Sequence, residues 1–154
     1  MEYSYKFRIY PNAEQRALIQ KTFGCSRFVY NHFLAQRISE YKATGKAPTR
    51  FQQDKMLTAL KREILWLKEV DSIPLQAELQ NLDSAYQGFF RRVKKGEKPG
   101  FPRFKSKRDR RKSYKTKQHI TNGKPTIYVD DKHIRLPKLG LVKCRISKEV
   151  KGRI

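Results

Sequence analysis

The stretch Ser72 to Val93, SIPLQAELQNLDSAYQGFFRRV, decides the fold. Leu75, Leu79, Leu82, Tyr86, Phe89 and Val93 recur three or four residues apart, so they line one face of an α-helix with a wide apolar stripe. Ser72, following Asp71, is expected to cap its start. Gly96, Pro99 and Pro102 stop it, and Arg91 and Arg92 stand in its last turn, where cations suit the helix dipole.

Upstream, the same period predicts more helix. Thr49 with Gln52 forms a capping-box pattern, and Met56, Leu57, Leu60, Ile64 and Leu67 trace a stripe interrupted near Trp66. Earlier still, Asn12 with Gln15 repeats the pattern for a helix expected to break at Gly24. Another helix is expected from about Ser26 to Tyr41, with Tyr30, Phe33, Leu34 and Ile38 on one face. Two helices joined at Gly24 suggest either a DNA-reading helix-turn-helix or an ordinary helical hairpin. The second helix is so apolar that the hairpin is the better reading. Residues 3–10, YSYKFRIY, alternate Tyr3, Tyr5, Phe7 and Ile9 against Ser4, Lys6 and Arg8, the period of a half-buried strand that Pro11 ends.

Downstream the chain changes character. Gly100 to Thr116, GFPRFKSKRDRRKSYKT, holds eight Lys or Arg residues against one acid, with Phe101, Phe104 and Tyr114 among them. Basic heads bind phosphates and aromatic faces stack on bases, although a run of like charge is also what a solvated linker looks like. Beyond it, short strands are expected at 126–129, 134–136 and 141–146, with Val142, Cys144 and Ile146 facing one way and Lys143 and Arg145 the other. The fold class is α+β: a small β-barrel or sheet into which a helical lobe of three to four helices is inserted. The division expected is a first strand over 1–11, a helical lobe over 12–95 whose helix-turn-helix region would be 12–45, a basic connector over 96–117, and the remaining strands over 118–154.

Charge follows these divisions. The 154 residues carry a net +22, of which +12 falls in 91–117 while 46–90 is neutral. Such an excess resists compaction unless a polyanion offsets it, which makes nucleic acid the leading partner. An anionic membrane comes second and is weakened by the lack of any apolar run of spanning length, and with no signal peptide at the start the expected location is the cytoplasm. Cys25 and Cys144 are too far apart in sequence for a CxxC zinc site, and His32, His119 and His133 are scattered. No carboxylate cluster, Ser/His or Cys/His pair, or Gly-rich phosphate loop appears, so an enzyme acting on its own is not expected.

Seven segments together carry a resemblance: YKFRIYPNAEQ (5–15), FGCSRFVYNHFLAQR (23–37), LKEVDS (67–72), LQAELQNLDSAYQGFFRR (75–92), GFPRFKSK (100–107), SYKT (113–116) and LPKLGLVK (136–143). In this order and spacing the chain resembles the N-terminal portion of the TnpB (OrfB) proteins of insertion sequences, which are RNA-guided DNA endonucleases. The resemblance implies that the strands form a wedge domain like an oligonucleotide-binding barrel and that the helices form a recognition lobe. Together these would hold a guide RNA from the transposon end and read a target-adjacent motif on double-stranded DNA, as a monomer. Cleavage in that family belongs to a RuvC-like domain with divalent metal and a zinc-binding insertion. Neither cofactor is expected in this chain, which is expected to be a truncated copy or an excised piece.

By position, the resemblance places motif readout on Arg50, Gln52, Gln53, Asp54, Ser72, Ile73 and Gln76, with capping as the alternative role for Gln52 and Ser72. It implies contacts to the nucleic-acid backbone from Arg91, Arg92, Arg103, Lys105, Lys107, Arg108, Arg110, Arg111, Lys112, Tyr114, Lys115, Thr116 and Lys117. Phe101 and Phe104 are left with two roles, stacking on bases or anchoring the loop to the core. A free-standing helix-turn-helix regulator of transposition is the alternative function.

Overall fold

The computed structural model describes all 154 residues, which divide into two units: Met1–Lys21 with Thr116–Ile154, and Thr22–Lys115. The first is a sheet unit. Its strands β1 (Arg8–Tyr10), β4 (Tyr128–Val129), β5 (His133–Leu136) and β6 (Gly140–Arg145) form an antiparallel sheet in the order β1-β6-β5-β4, beside a separate hairpin of β2 (Ile120–Thr121) and β3 (Lys124–Pro125). The sheet is open: β1 and β4 are its edges and do not pair, so the expected barrel does not close. Val142 and Cys144 are buried on one face and Lys143 and Arg145 exposed on the other, as the alternation predicts.

Strand bounds differ from expectation where local chemistry intervenes. β1 begins only at Arg8, because β6 supplies partners for Arg8, Ile9 and Tyr10 alone. The β2–β3 hairpin, absent from the sequence reading, turns through Asn122 and Gly123, both at positive φ, the Asn-Gly pair that a two-residue hairpin favours.

The second unit is helical: α1 (Ala13–Thr44, whose first residues lie in the sheet unit), α2 (Arg50–Glu63) and α3 (Ser72–Lys95), with a 3-10 turn at Leu65–Lys68. The break expected at Gly24 does not occur, and α1 is one helix of 32 residues. A helical Gly costs about 1 kcal/mol relative to Ala, too little to stop a helix whose buried residues Thr22, Cys25, Ser26, Val29, Tyr30, Phe33, Leu34 and Arg37 run straight past it. Residues 12–45 are therefore not divided into the two helices expected on either side of Gly24. Both predicted capping boxes form. Asn12 and Gln15 exchange bonds of 3.0 and 2.8 Å, and Thr49 and Gln52 bonds of 2.9 and 3.3 Å. α3 is capped by Asp71, whose carboxylate accepts from the Ile73 amide at 3.2 Å, so Ser72 is the first helical residue and not the cap. Leu75, Leu79 and Leu82 are fully buried, each contributing about 2 kcal/mol on the scale of side-chain burial. α3 ends at Gly96 in the left-handed conformation.

Candidate nucleic-acid interface

The basic connector has two halves with different fates. Its first half is held on the helical unit. Asn31 of α1 takes the Lys105 backbone on both sides, accepting from its N–H at 2.7 Å and donating Nδ2 to its carbonyl at 2.9 Å. The Lys105 ammonium donates to the buried Glu78 carboxylate of α3 at 2.6 Å and lies 4.4 Å from the Tyr30 ring centre. Phe101 meets Tyr86 and Phe89 edge-on at 5.6 and 5.3 Å, Pro102 is buried, and Arg92 donates to the Gly100 carbonyl at 3.1 Å. Burial, and after it the Glu78 charge, raises the Tyr30 hydroxyl above the ordinary tyrosine range.

The second half is open. Lys107, Arg108, Arg110, Arg111 and Lys112 are exposed and take part in none of the unit's ion pairs. Only short turns shape this half: the Arg108 amide donates to the Ser106 hydroxyl at 3.2 Å and the Arg111 amide to Asp109 at 3.0 Å. Arg91, Arg103, Lys115 and Lys117 are exposed as well. Tyr114 is half-buried edge-on against Phe23 at 5.7 Å, and burial raises its hydroxyl. Thr116 is half-buried.

Two residues of the expected backbone-contact set have partners within the chain. Lys105 is taken up by Glu78 and Tyr30, and Arg92 by the Gly100 carbonyl, so both fix the connector's path. Of the two phenylalanines with open roles, both are about half exposed, and Phe101 is the one that packs edge-on against the rings of Tyr86 and Phe89. Asn31 and Glu78, which form the clamp, were not picked out as such by the sequence reading. Glu78 lies in the charge-neutral stretch 46–90 and Asn31 in the helix expected from about Ser26, and only their meeting with Lys105 gives them meaning.

The expected motif-reading residues are likewise sorted. Gln53 is fully buried. It donates to the Phe33 carbonyl at 3.0 Å and to Gln36 at 3.1 Å, and accepts from Arg37 Nε at 2.8 Å, which removes it from any readout. Arg37 in turn reaches Asp83 at 3.3 Å and lies 4.9 Å from the Tyr86 ring centre, and it is buried. At the start of α2, Arg50 packs over Phe51 at 4.8 Å and pairs with Asp54 at 3.8 Å, while Gln52 is exposed but engaged in its cap. At the start of α3, Ser72 and Ile73 are half-buried and Gln76 is exposed.

No group of three His, Cys, Asp or Glu side chains stands together to hold a metal ion, and Cys25 and Cys144 are buried singly. No helix is long and apolar enough to cross a membrane.

Comparison with known proteins gives these features a setting. Residues 1–46 match the helix-turn-helix domain family of the OrfB type, over a span that folds here as β1 and the unbroken α1. The chain is 37% identical over 112 residues to a candidate RNA-guided DNA endonuclease of Streptomyces pristinaespiralis, covering 71% of this chain and 27% of that protein. It is 32% identical over 151 residues to InsQ of Escherichia coli K12, which carries the same description, covering 97% of this chain and 35% of InsQ. Virulence protein VsdF of Salmonella dublin is 35% identical over 111 residues, which cover 66% of this chain and 91% of VsdF. The matched region thus spans 27% and 35% of the length of the two endonuclease relatives. With the match at its N-terminus and sequence similarity over nearly its whole length, the chain belongs to the TnpB (OrfB) family.

Proposed function

We propose that this chain is the nucleic-acid-binding N-terminal part of a TnpB-like RNA-guided DNA endonuclease. In this reading the sheet unit is the wedge, related to an oligonucleotide-binding barrel that is left open, and the helical unit is the recognition lobe. The connector's open half lies along the backbone of a guide RNA or of its heteroduplex with target DNA. Cleavage, with its divalent metal and zinc, is assigned to sequence outside this chain. The protein works as a monomer in the bacterial or archaeal cytoplasm. The observation that carries the proposal is the run of exposed, unpaired cations at Lys107–Lys112, delivered by a clamp that fixes Gly100–Lys105. Unpaired cations that follow directly on an anchored segment are free to meet phosphates, and such contacts position without specifying sequence.

Motif reading on duplex DNA is assigned to Arg50, Gln52, Asp54, Ser72, Ile73 and Gln76. Gln76 is exposed in the first turns of α3, where its amide can meet an adenine edge. Gln76→Ala is expected to reduce discrimination at one motif position by about 1–3 kcal/mol, measured by competition binding with single-base variants.

The deciding experiment is to purify the protein from its host and sequence the nucleic acid that accompanies it. A discrete RNA ending at a transposon boundary is expected. An RNA-free preparation that binds duplex DNA sequence-specifically would overturn the reading in favour of a free-standing regulator of transposition, which the helix-turn-helix description of residues 1–46 favours.

A further inference from the structure

The outward face of the four-stranded sheet has a composition that sheet stability does not explain. Residues directly opposite in a ladder share a face. The register Arg8↔Arg145, Tyr10↔Lys143, His133↔Lys143, Arg135↔Leu141 and Tyr128↔Arg135 therefore places all eight side chains together, opposite the buried Val142 and Cys144. Four are Arg or Lys, and none of the paired positions in the sheet is acidic. Arg8 faces Arg145 directly, a like-charge pairing that destabilises an isolated sheet. A polyanion laid across the face reverses the sign of that interaction. Asp130, in the turn between β4 and β5, accepts from the amides of Lys132 and His133 at 2.8 and 2.7 Å and lies 3.5 Å from His133 Nδ1.

Charge alone would suit any anion; the aromatics narrow the choice. Tyr10 and Tyr128 are 47% and 37% exposed at opposite edges of the sheet, each with a guanidinium beside its ring, Arg8 at 5.8 Å and Arg135 at 6.0 Å. Exposed rings interleaved with cations on a sheet surface form a stacking platform, and unpaired bases offer the π-faces that duplexed bases withhold.

The geometry points to this face as a binding surface for an unpaired stretch of nucleic acid, with bases stacked on Tyr10 and Tyr128 and phosphates neutralised by Arg8, Arg135, Lys143 and Arg145. The inference rests on the nucleic-acid-binding function proposed above and adds a surface, separate from the connector, with its own preference for single strands.

Fluorescence anisotropy with a labelled mixed-sequence RNA, unpaired or annealed to its complement, tests it on the 154-residue chain. Tyr10→Ala with Tyr128→Ala is expected to weaken binding of the unpaired form by about ten-fold for each ring, the scale of base stacking on an aromatic. Duplex affinity should stay within about three-fold, since duplex contacts are chiefly to phosphates. Tyr10→Phe with Tyr128→Phe keeps the stacking surface and should restore affinity. Unchanged single-strand binding, or equal loss on both forms, overturns the inference. Should the alanine variant fail to melt cooperatively by circular dichroism, Lys143→Gln with Arg145→Gln replaces it. That variant is expected to reduce the salt slope for unpaired RNA by about 0.7 per charge, and an unaltered slope counts against the inference. If the wild-type chain binds neither form, the proposed function fails as well. If binding is lost only on neutralising Arg110, Arg111 and Lys112, that function stands and the sheet-face inference falls.

Discussion

Gly100–Lys105 and Lys107–Lys112 are neighbours in one basic segment, yet the helical unit treats them oppositely. The first is gripped by Asn31, Glu78, Tyr86, Phe89 and Arg92, and the second touches only its own turns. The difference lies in the partners that packing supplies. A buried carboxylate at Glu78 fixes Lys105 in place, while Arg110 and its neighbours meet no acid beyond Asp109, whose carboxylate accepts from the Arg111 amide. Density of Lys and Arg in a sequence therefore does not by itself mark a phosphate contact. What matters is whether an acid of the same molecule reaches the cation first.

The largest expected effect that could break this contrast comes from the open half. Arg110→Gln, Arg111→Gln and Lys112→Gln together should weaken RNA binding by roughly two orders of magnitude at 0.1 M salt and flatten the salt slope by about 0.7–0.9 per charge. Urea midpoints should not move, because substitutions at exposed sites typically stay within about 0.5 kcal/mol. A large stability loss would mean that this half is built into the fold. The held half should behave in the opposite way. Lys105→Ala strands the buried Glu78 carboxylate and is expected to lower unfolding stability by about 2 kcal/mol, a figure reduced because Lys105 itself is 39% exposed in its side chain. Denaturation in urea measures it, with Lys107→Ala as the neutral comparison.

Asn31→Ala sharpens the contrast further. It removes two hydrogen bonds to the connector backbone, costs about 1–2 kcal/mol and should bring amide exchange at Lys105 towards the fast exchange expected throughout Lys107–Lys112 in the RNA-free protein. Strong protection of 107–112 without RNA would erase the distinction between the halves. The smallest effect concerns a held charge in the sheet unit. The amides of Lys132 and His133 keep the Asp130 carboxyl below its ordinary value. Its contribution to the β4–β5 turn is therefore complete above about pH 4, the unfolded range of aspartate, and is lost as pH falls through the lower folded value. The amide shifts of Lys132 and His133 should titrate below that range, and a midpoint at the ordinary value would show that the turn does not hold the carboxylate.

Local chemistry was readable wherever it sufficed. The α3 stripe from Leu75 to Tyr86, the Asn12–Gln15 and Thr49–Gln52 capping boxes and the alternation of β6 all form as their residues dictate, whereas Val93 at the end of the stripe is exposed. The errors lie where a local signal was overridden or misplaced by one residue. Gly24 punctuates α1 in sequence but not in space, because the buried stripe on either side outweighs a propensity cost. Asp71, which directly precedes Ser72, takes the cap of α3 with its carboxylate. The Asn122–Gly123 turn was a legible hairpin signal that the sequence reading passed over. Gln53 shows the limit for the site itself, since nothing local tells a buried glutamine from one that reads bases.

From sequence alone, period and charge determined an α+β chain with a strongly basic connector, and seven quoted segments carried the resemblance to its family. Only the tertiary structure decided which cations are spoken for, which glutamine is interior and which side chains share the open face of the sheet. Those outcomes depend on pairing between residues far apart in the chain, Lys105 with Glu78, Gln53 with Phe33, and Arg8 with Arg145, and a one-dimensional pattern carries no record of which partners meet.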